Sequence, residues 1–343
     1  MEPELGPRKQ AVLRAVVEEF VRSGEPVGSE RVAELSGLGV SSATIRNELA
    51  ALEELGFLTH AHTSSGRLPT DLGYRRYVDA LRGGTKLREA QRRAIAGFFA
   101  DTMLDLEHVL RGTTQLLSRL TQYAGLALPS ADAEEAVLRV EALDTGQSIL
   151  VLVVGQHGGV DRASLDRPLG FDAATLEALD RRLAGAFRGL PRSDAQAVAL
   201  RMAGEATGPE RDVLLVVADV LAREPEGSGH LLIGGAANLA DEEARWRRDT
   251  LRRLYEAFER ESEVQRLLRD VTSDDVSVTI GAEHPQTGAW AAALVAAPFR
   301  AGTTALGTIG VVGPTAMDYA TVVASVREVA RRLSELATAL DGR

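Results

Sequence analysis

Apolar and polar positions change period several times along the chain, and those changes mark out its elements. From Arg8 to Ser23 apolar residues return every four positions, at Val12, Val16 and Phe20, with Leu13 and Val17 beside them. That spacing predicts an amphipathic helix, and Gly24 is the residue type that closes one. Val32 and Leu35 predict a short second helix, capped by Ser29 and ended by Gly37. A third starts at Ser41 or Ser42, either of whose hydroxyls can accept from the free amides of a first turn. With Ile45 turned inward, a step of about 100° per residue carries Leu49 and Leu52 to the same side. Ala43, Asn47 and Ala50 then point outward, flanked by Thr44 and Arg46. Two short helices joined by a Gly-containing turn have helix-turn-helix spacing.

After Gly56 the period shortens. Phe57, Leu58 and Thr59 suit a strand, His62-Thr63-Ser64-Ser65-Gly66 is turn chemistry, and Arg67 and Leu68 return before Pro69 stops the pairing. Thr70 is placed to cap a fourth helix carrying Tyr74, Tyr77, Val78 and Leu81. This is the order of a winged helix over residues 1–82. The outward face of its third helix has the chemistry of a duplex reader. Arg bridges guanine and Asn bridges adenine through paired hydrogen bonds, while small Ala43 and Thr44 permit close approach. Ser42 opens that helix, and His62, Ser64, Ser65 and Arg67 on the wing suit phosphates or the minor groove. Singly, each feature has an ordinary explanation. Arg46 could be a solvated charge or an intrahelical partner of Glu53 or Glu54, and Ser64 and Ser65 could simply make the turn.

Beyond Leu81, Gly83-Gly84 predicts a hinge, and residues 83–100 a helical linker leading into a long helical stretch broken near Phe98. VLRVEAL and SILVLVV from Val137 to Val154 predict two strands around the turn Asp144-Thr145-Gly146-Gln147. Three helical segments follow, strand character returns at HLLIGG, and two more helices precede the strands VSVTIG, WAAALVAAPF and LGTIGVVG. Val322, Val326, Val329, Leu333 and Leu336 line a closing amphipathic helix. A helical block between strand blocks predicts an insertion, at about 171–225, into a sheet domain made of 101–170 and 226–343. The fold class is multidomain α+β.

Composition narrows the function. The 343 residues contain no Cys, which excludes disulfides, thiolate nucleophiles and Cys-based metal sites. The start MEPELGPRKQ lacks the apolar run of a signal peptide, and no apolar segment is long enough for a membrane span, so a cytoplasmic protein is expected. The formal net charge is −10, and residues 1–82 hold ten basic against twelve acidic side chains, which argues against indiscriminate nucleic-acid binding. Locally the balance reverses: from Phe57 to Val78, Arg67, Arg75 and Arg76 face only Asp71, with His60 and His62 in addition. His60 and His62 are the only close histidine pair and lack an evident third ligand, so no metal is expected. Gly307, Gly310 and Gly313 match neither a dinucleotide fingerprint nor a P-loop, so packing and turning explain them. No cofactor and no enzymatic activity are expected.

The stretch GEPVGSERVAELSGLGVSSATIRNELAALEELGFLTHAHTSSGRLPTDLGYRRYVD resembles the amino-terminal signature of the bacterial heat-inducible transcription repressors, the HrcA family. LLIGGAANL, LVAAPF and LGTIGVVGPTAMDYATVV resemble the same family near the far end, so the matching segments bracket nearly the whole chain in order. Ala316 departs from the resemblance, standing where a basic residue is expected before Met317-Asp318-Tyr319. The resemblance implies a winged helix, a GAF-like domain over 101–170 and 226–343, and a dimerising segment inserted at 171–225. It makes Thr44, Arg46 and Asn47 recognition contacts and His62 to Arg67 the wing. It also implies a homodimer on an inverted-repeat operator upstream of chaperone operons, kept competent by chaperonin and released when heat diverts that chaperonin. A small-ligand-responsive winged-helix regulator of metabolic genes is the alternative.

Overall fold

The computed structural model describes residues 5–60, 66–81, 86–100, 106–130, 136–155, 160–168, 170–223, 230–238, 248–271 and 273–341. It is a mixed α+β molecule of several packed units. At the amino end α1 (Pro7–Ser23), α2 (Ser29–Leu35) and α3 (Ser42–Glu54) lead into a hairpin of β1 (Leu58–His60) and β2 (Arg67–Pro69), then α4 (Asp71–Leu81). Gly24 closes α1 in the left-handed conformation at φ 73°, its amide donating to Phe20 O over 2.8 Å. Ser41 is the cap of α3, its hydroxyl accepting from the Thr44 amide at 3.2 Å, and Ser42 is the first helical residue. Ser29 is likewise the first residue of its helix and not the cap, because Gly28 takes the extended position before it. Thr70 accepts from the Gly73 amide and donates to Gly56 O, so one hydroxyl starts α4 and ties it to the end of α3.

α5 (Glu89–Ala100) and α6 (Leu106–Thr121) follow, and the expected hinge at Gly83-Gly84 lies outside the described residues. The main sheet consists of β3 (Ala124–Pro129), β7 (Leu232–Gly234), β8 (Ser277–Ile280), β9 (Ala292–Ala301) and β10 (Thr304–Pro314). Its order is β7-β3-β10-β9-β8, antiparallel throughout. α6 and the closing helix α13 (Tyr319–Asp341) cover one face, with α5 beside them. α10 (Arg248–Glu259), α11 (Glu261–Arg269) and α12 (Pro285–Trp290) supply the other, where Leu254, Leu267, Leu268 and Trp290 close a second core. Gly125 and Gly234 let α6 cross the sheet closely: at Gly234 a Cβ would come 2.7 Å from Thr114 C and 2.8 Å from Gln115 N. β10 carries a bulge between Ala305 and Gly307, consistent with the packing role expected of Gly307.

The inserted unit begins earlier than expected. β4 (Val137–Asp144), β5 (Ser148–Gly155) and β6 (Val160–Asp166) form a separate three-stranded sheet that shares no strand with the main one. Its inner face packs Val140, Val151 and Val153 against Leu179, Ala199 and Val217 of α7 (Ala173–Ala186), α8 (Arg192–Glu205) and α9 (Pro209–Ala222), and against Phe187 just past the end of α7. The expected boundary at 171 therefore moves back to about 136, and 137–166 leaves the domain to which it was assigned. The physical reason is the alternation along β5: Ile149, Val151 and Val153 need a partner layer, and the three helices downstream provide it. Arg192 locks the unit, donating to Asp161 at 2.7 Å and to Val220 O at 2.8 Å in a buried setting.

The amino-terminal unit does not hang free. Tyr74 and Tyr319 meet with ring centroids 5.9 Å apart, and both lie in one continuous core that runs from Val12 to Leu333. Arg75 grips Glu283 through two hydrogen bonds of 2.6 and 2.5 Å and also donates to Val278 O. Asp71 accepts from the Ala282 amide at 3.2 Å, and Gly281, at φ 48°, leaves the space its carboxylate occupies.

Candidate nucleic-acid interface

α3 is anchored by Ile45, Leu49 and Leu52, all buried, which fixes its opposite side toward solvent. Ala43, Arg46 and Asn47 are exposed there, with Ser42 and Thr44 partly covered at the first turn. Thr44 is held by the cap, its hydroxyl 3.0 Å from Ser41 Oγ. Arg46 enters no hydrogen bond or ion pair with any described residue. Two acidic residues of its own helix are occupied elsewhere: Glu48 faces Lys9 at 3.2 Å and Arg8 at 3.8 Å on α1, and Glu53 faces the hairpin. The intrahelical pairing of Arg46 with Glu53 is thereby excluded.

The hairpin meets α3 through charge. Glu53 Oε2 lies 2.9 Å from Arg67 Nε, Glu53 Oε1 lies 2.8 Å from His60 Nε2, and Arg67 Nη1 lies 2.9 Å from His60 Nδ1. His60 and Arg67 are directly opposite one another on β1 and β2, so a single carboxylate spans both strands. Arg67, expected to face phosphates, is 17% exposed here and its charge is answered by Glu53. Val27 and Arg67 also exchange amide hydrogen bonds, each 3.0 Å, tying the hairpin root to the segment before α2. Gly66 permits this approach, since a Cβ there would stand 2.8 Å from the Pro26 carbonyl carbon. His62, Ser64 and Ser65 lie outside the described residues.

Arg75, counted in the local basic excess, faces the main domain and pairs with Glu283. Sequence could not separate it from Arg76, because its partner is more than two hundred positions away. What remains is an open groove of about 790 Å³ bordered by Gly28, Ser29, Arg46, Leu49, Gly66 and Arg67. Glu25 and Glu30 also line it, which no pattern along the chain had placed at one groove with Arg46. Among the described residues no group of three or more His, Asp or Glu is placed to hold a metal, and no helix is long and apolar enough to cross a membrane. Ala316 packs half-buried against the core, and Tyr319, two residues past Met317, is fully buried with its hydroxyl donating to Thr315 O.

Comparison with known proteins follows from this arrangement. A family model described as the HrcA protein C terminal domain matches residues 107–323. The heat-inducible transcription repressor HrcA of Cutibacterium acnes is 38% identical over 336 residues, covering 95% of this chain and 97% of that protein. Its namesake in Thermobifida fusca is 36% identical over 338 residues, covering 97% of each. A crystal structure of a hypothetical protein has the same fold, with a TM-score of 0.73 and 24% identity, covering 98% of this chain and all of that one. These relatives favour repression of heat-shock genes over control by a small metabolic ligand. With the amino-terminal signature, the far-end motifs and full-length similarity in agreement, the chain belongs to the HrcA family of heat-inducible transcription repressors.

Proposed function

We propose that the repressor acts through its amino-terminal unit as a winged helix, laying α3 in the major groove of duplex DNA. The observation that carries this reading is the one-sided chemistry of α3: Ile45, Leu49 and Leu52 inward, and Ala43, Asn47 and Arg46, which pairs with no described residue, outward. Arg46 and Asn47 read bases, Ser42 and Thr44 approach the backbone at the first turn, and the wing through His62, Ser64, Ser65 and Arg67 follows the adjacent phosphates. One such helix makes few base contacts, so two copies bind an inverted-repeat operator.

The second copy docks on the outer face of the β4-β5-β6 sheet. Leu143, Leu150, Leu152, Val154 and Val160 form an apolar strip there, and Leu143 and Val160 are 45% and 47% exposed. Arg139 pairs with Glu141 beside the strip, and Arg162 lies in register with Leu152. The main domain is GAF-like and carries the heads. It works in the cytoplasm, where chaperonin keeps the repressor competent; heat draws chaperonin to unfolded chains and repression lapses. The heat-inducible character of the relatives supports this loop.

Selection of bound duplexes from a random pool tests the reading directly. A recovered palindrome is the expected result, and a pool with no shared sequence would remove the base-reading role of α3. Chaperonin added to a fixed amount of repressor should raise the fraction able to bind the recovered duplex; an unchanged fraction rejects chaperonin control.

A further inference from the structure

We propose that Glu53 is a specificity-determining residue of the head, its carboxylate withholding Arg67 from phosphates of any duplex that does not also satisfy α3. This rests on the reading of the head as a duplex-binding surface. Both carboxylate oxygens are engaged, one by Arg67 and one by His60, and the Arg67–His60 contact closes the triangle. The grip is Coulombic rather than directional, for Arg67 Nε is 2.9 Å from the carboxylate yet buried without a hydrogen bond of its own. A guanidinium held in that way exchanges readily to another oxyanion, and a phosphate offers the same pair of acceptors. Arg67 also borders the groove that Arg46 borders, so the freed side chain is on the side from which a duplex would arrive.

The exchange has an asymmetric cost. Moving Arg67 onto a phosphate leaves Glu53 beside a like charge with its partner gone. A random duplex, bound by electrostatics alone, supplies nothing to offset this, whereas an operator brings the base contacts of Arg46 and Asn47. Glu53 therefore weakens binding to the wrong sequence more than to the right one. In the chain's acidic background, with a net charge of −10, it does so at the one place where the head is locally basic.

The test compares wild type, Glu53→Gln, Arg67→Ala and the double variant on a random duplex and on the selected duplex, across a salt series. Glu53→Gln should bind random duplex about threefold more tightly or better at low salt. Its affinity should fall more steeply with salt, by about 0.9 in the log–log slope, the equivalent of one further phosphate contact. The ratio of selected to random affinity should drop, and adding Arg67→Ala should abolish the gain. No gain on random duplex, or a gain that survives Arg67→Ala, overturns the assignment while leaving duplex binding intact. A flat salt response of the wild type on both duplexes overturns the duplex-binding reading and this assignment with it. Independent of any variant, the Arg67 Nε–H resonance must shift when the selected duplex binds, and an unshifted resonance counts against the exchange.

Discussion

At the scale of single residues, exposure alone does not distinguish a reading side chain from a solvated one; what distinguishes Arg46 is that two carboxylates of its own helix, Glu48 and Glu53, are occupied elsewhere. Glu48 is drawn to α1 and Glu53 to the hairpin, and Arg46 pairs with no described residue. Arg46→Ala should cost about 1–3 kcal/mol of operator affinity and much less on random duplex. Equal losses on the two, measured by titration at one salt concentration, would take Arg46 out of base reading. Glu19 shows the opposite use of charge. It is 8% exposed, and hydrogen bonds from Arg22 and Arg31, opposed by burial, hold its carboxyl down from 4.5 to about 2. A group whose folded value is depressed stabilises fully above its unfolded value and loses that contribution as pH falls through its folded one. Glu19→Gln should therefore lower the melting temperature at neutral pH, and the gap to wild type should narrow as pH falls from about 4.5 toward 2. A gap that widened over that range would sink the assignment. Glu19 joins α1 to α2 by way of Arg31, so the readout is stability and not base recognition.

The elements of the head are placed by close approaches that only small residues allow. The segment before α2 and the root of the hairpin touch through Val27 and Arg67, and Gly66 is where Pro26 leaves no room for a side chain. Gly66→Ala should destabilise the head by about 1–3 kcal/mol, the usual cost of forcing an extra methyl into a packed site. Hydrogen exchange should register the change first at the Val27 and Arg67 amides, each of which donates to the other residue's carbonyl; unchanged protection there would mean that the contact does not hold the hairpin. The sequence identified Gly66 as turn chemistry and missed this reason, since Pro26 is forty positions earlier and the clash exists only once the hairpin folds back. β3 and β6 were missed for related reasons. Ala124–Pro129 is short and small, and Val160–Asp166 alternates without a strong apolar face, so each is a strand mainly because a neighbour pairs with it.

At the scale of the whole molecule, the amino-terminal head is rigidly seated on its body. Tyr74–Tyr319, Arg75–Glu283 and Asp71 on the Ala282 amide fix each head to its main domain. Head spacing in a dimer is then set largely by where the two copies touch. If that is the outer face of the β4-β5-β6 sheet, Leu150→Asp should convert the dimer to a monomer in sedimentation, because a carboxylate in the middle of an apolar contact has no water and no partner. The same variant should keep random-duplex affinity per head and lose most of its preference for the inverted repeat. A Leu150→Asp protein that remained dimeric would move the interface elsewhere.

Local periodicity and turn chemistry determined the order of the head's elements, the inward and outward faces of α3 and the amphipathic closing helix. These depend on interactions within a few residues, which a linear pattern records directly. The far-end motifs, through their resemblance, pointed to the family. Tertiary structure alone decided which charges are spent. Arg67 is answered by Glu53, Arg75 by Glu283 and Arg192 by Asp161, and in each pair the partner is brought close by folding over a separation that no periodicity encodes. It also decided that residues 137–166 side with the helices after them, because apolar alternation states that a strand needs a covering layer without saying which layer will supply it.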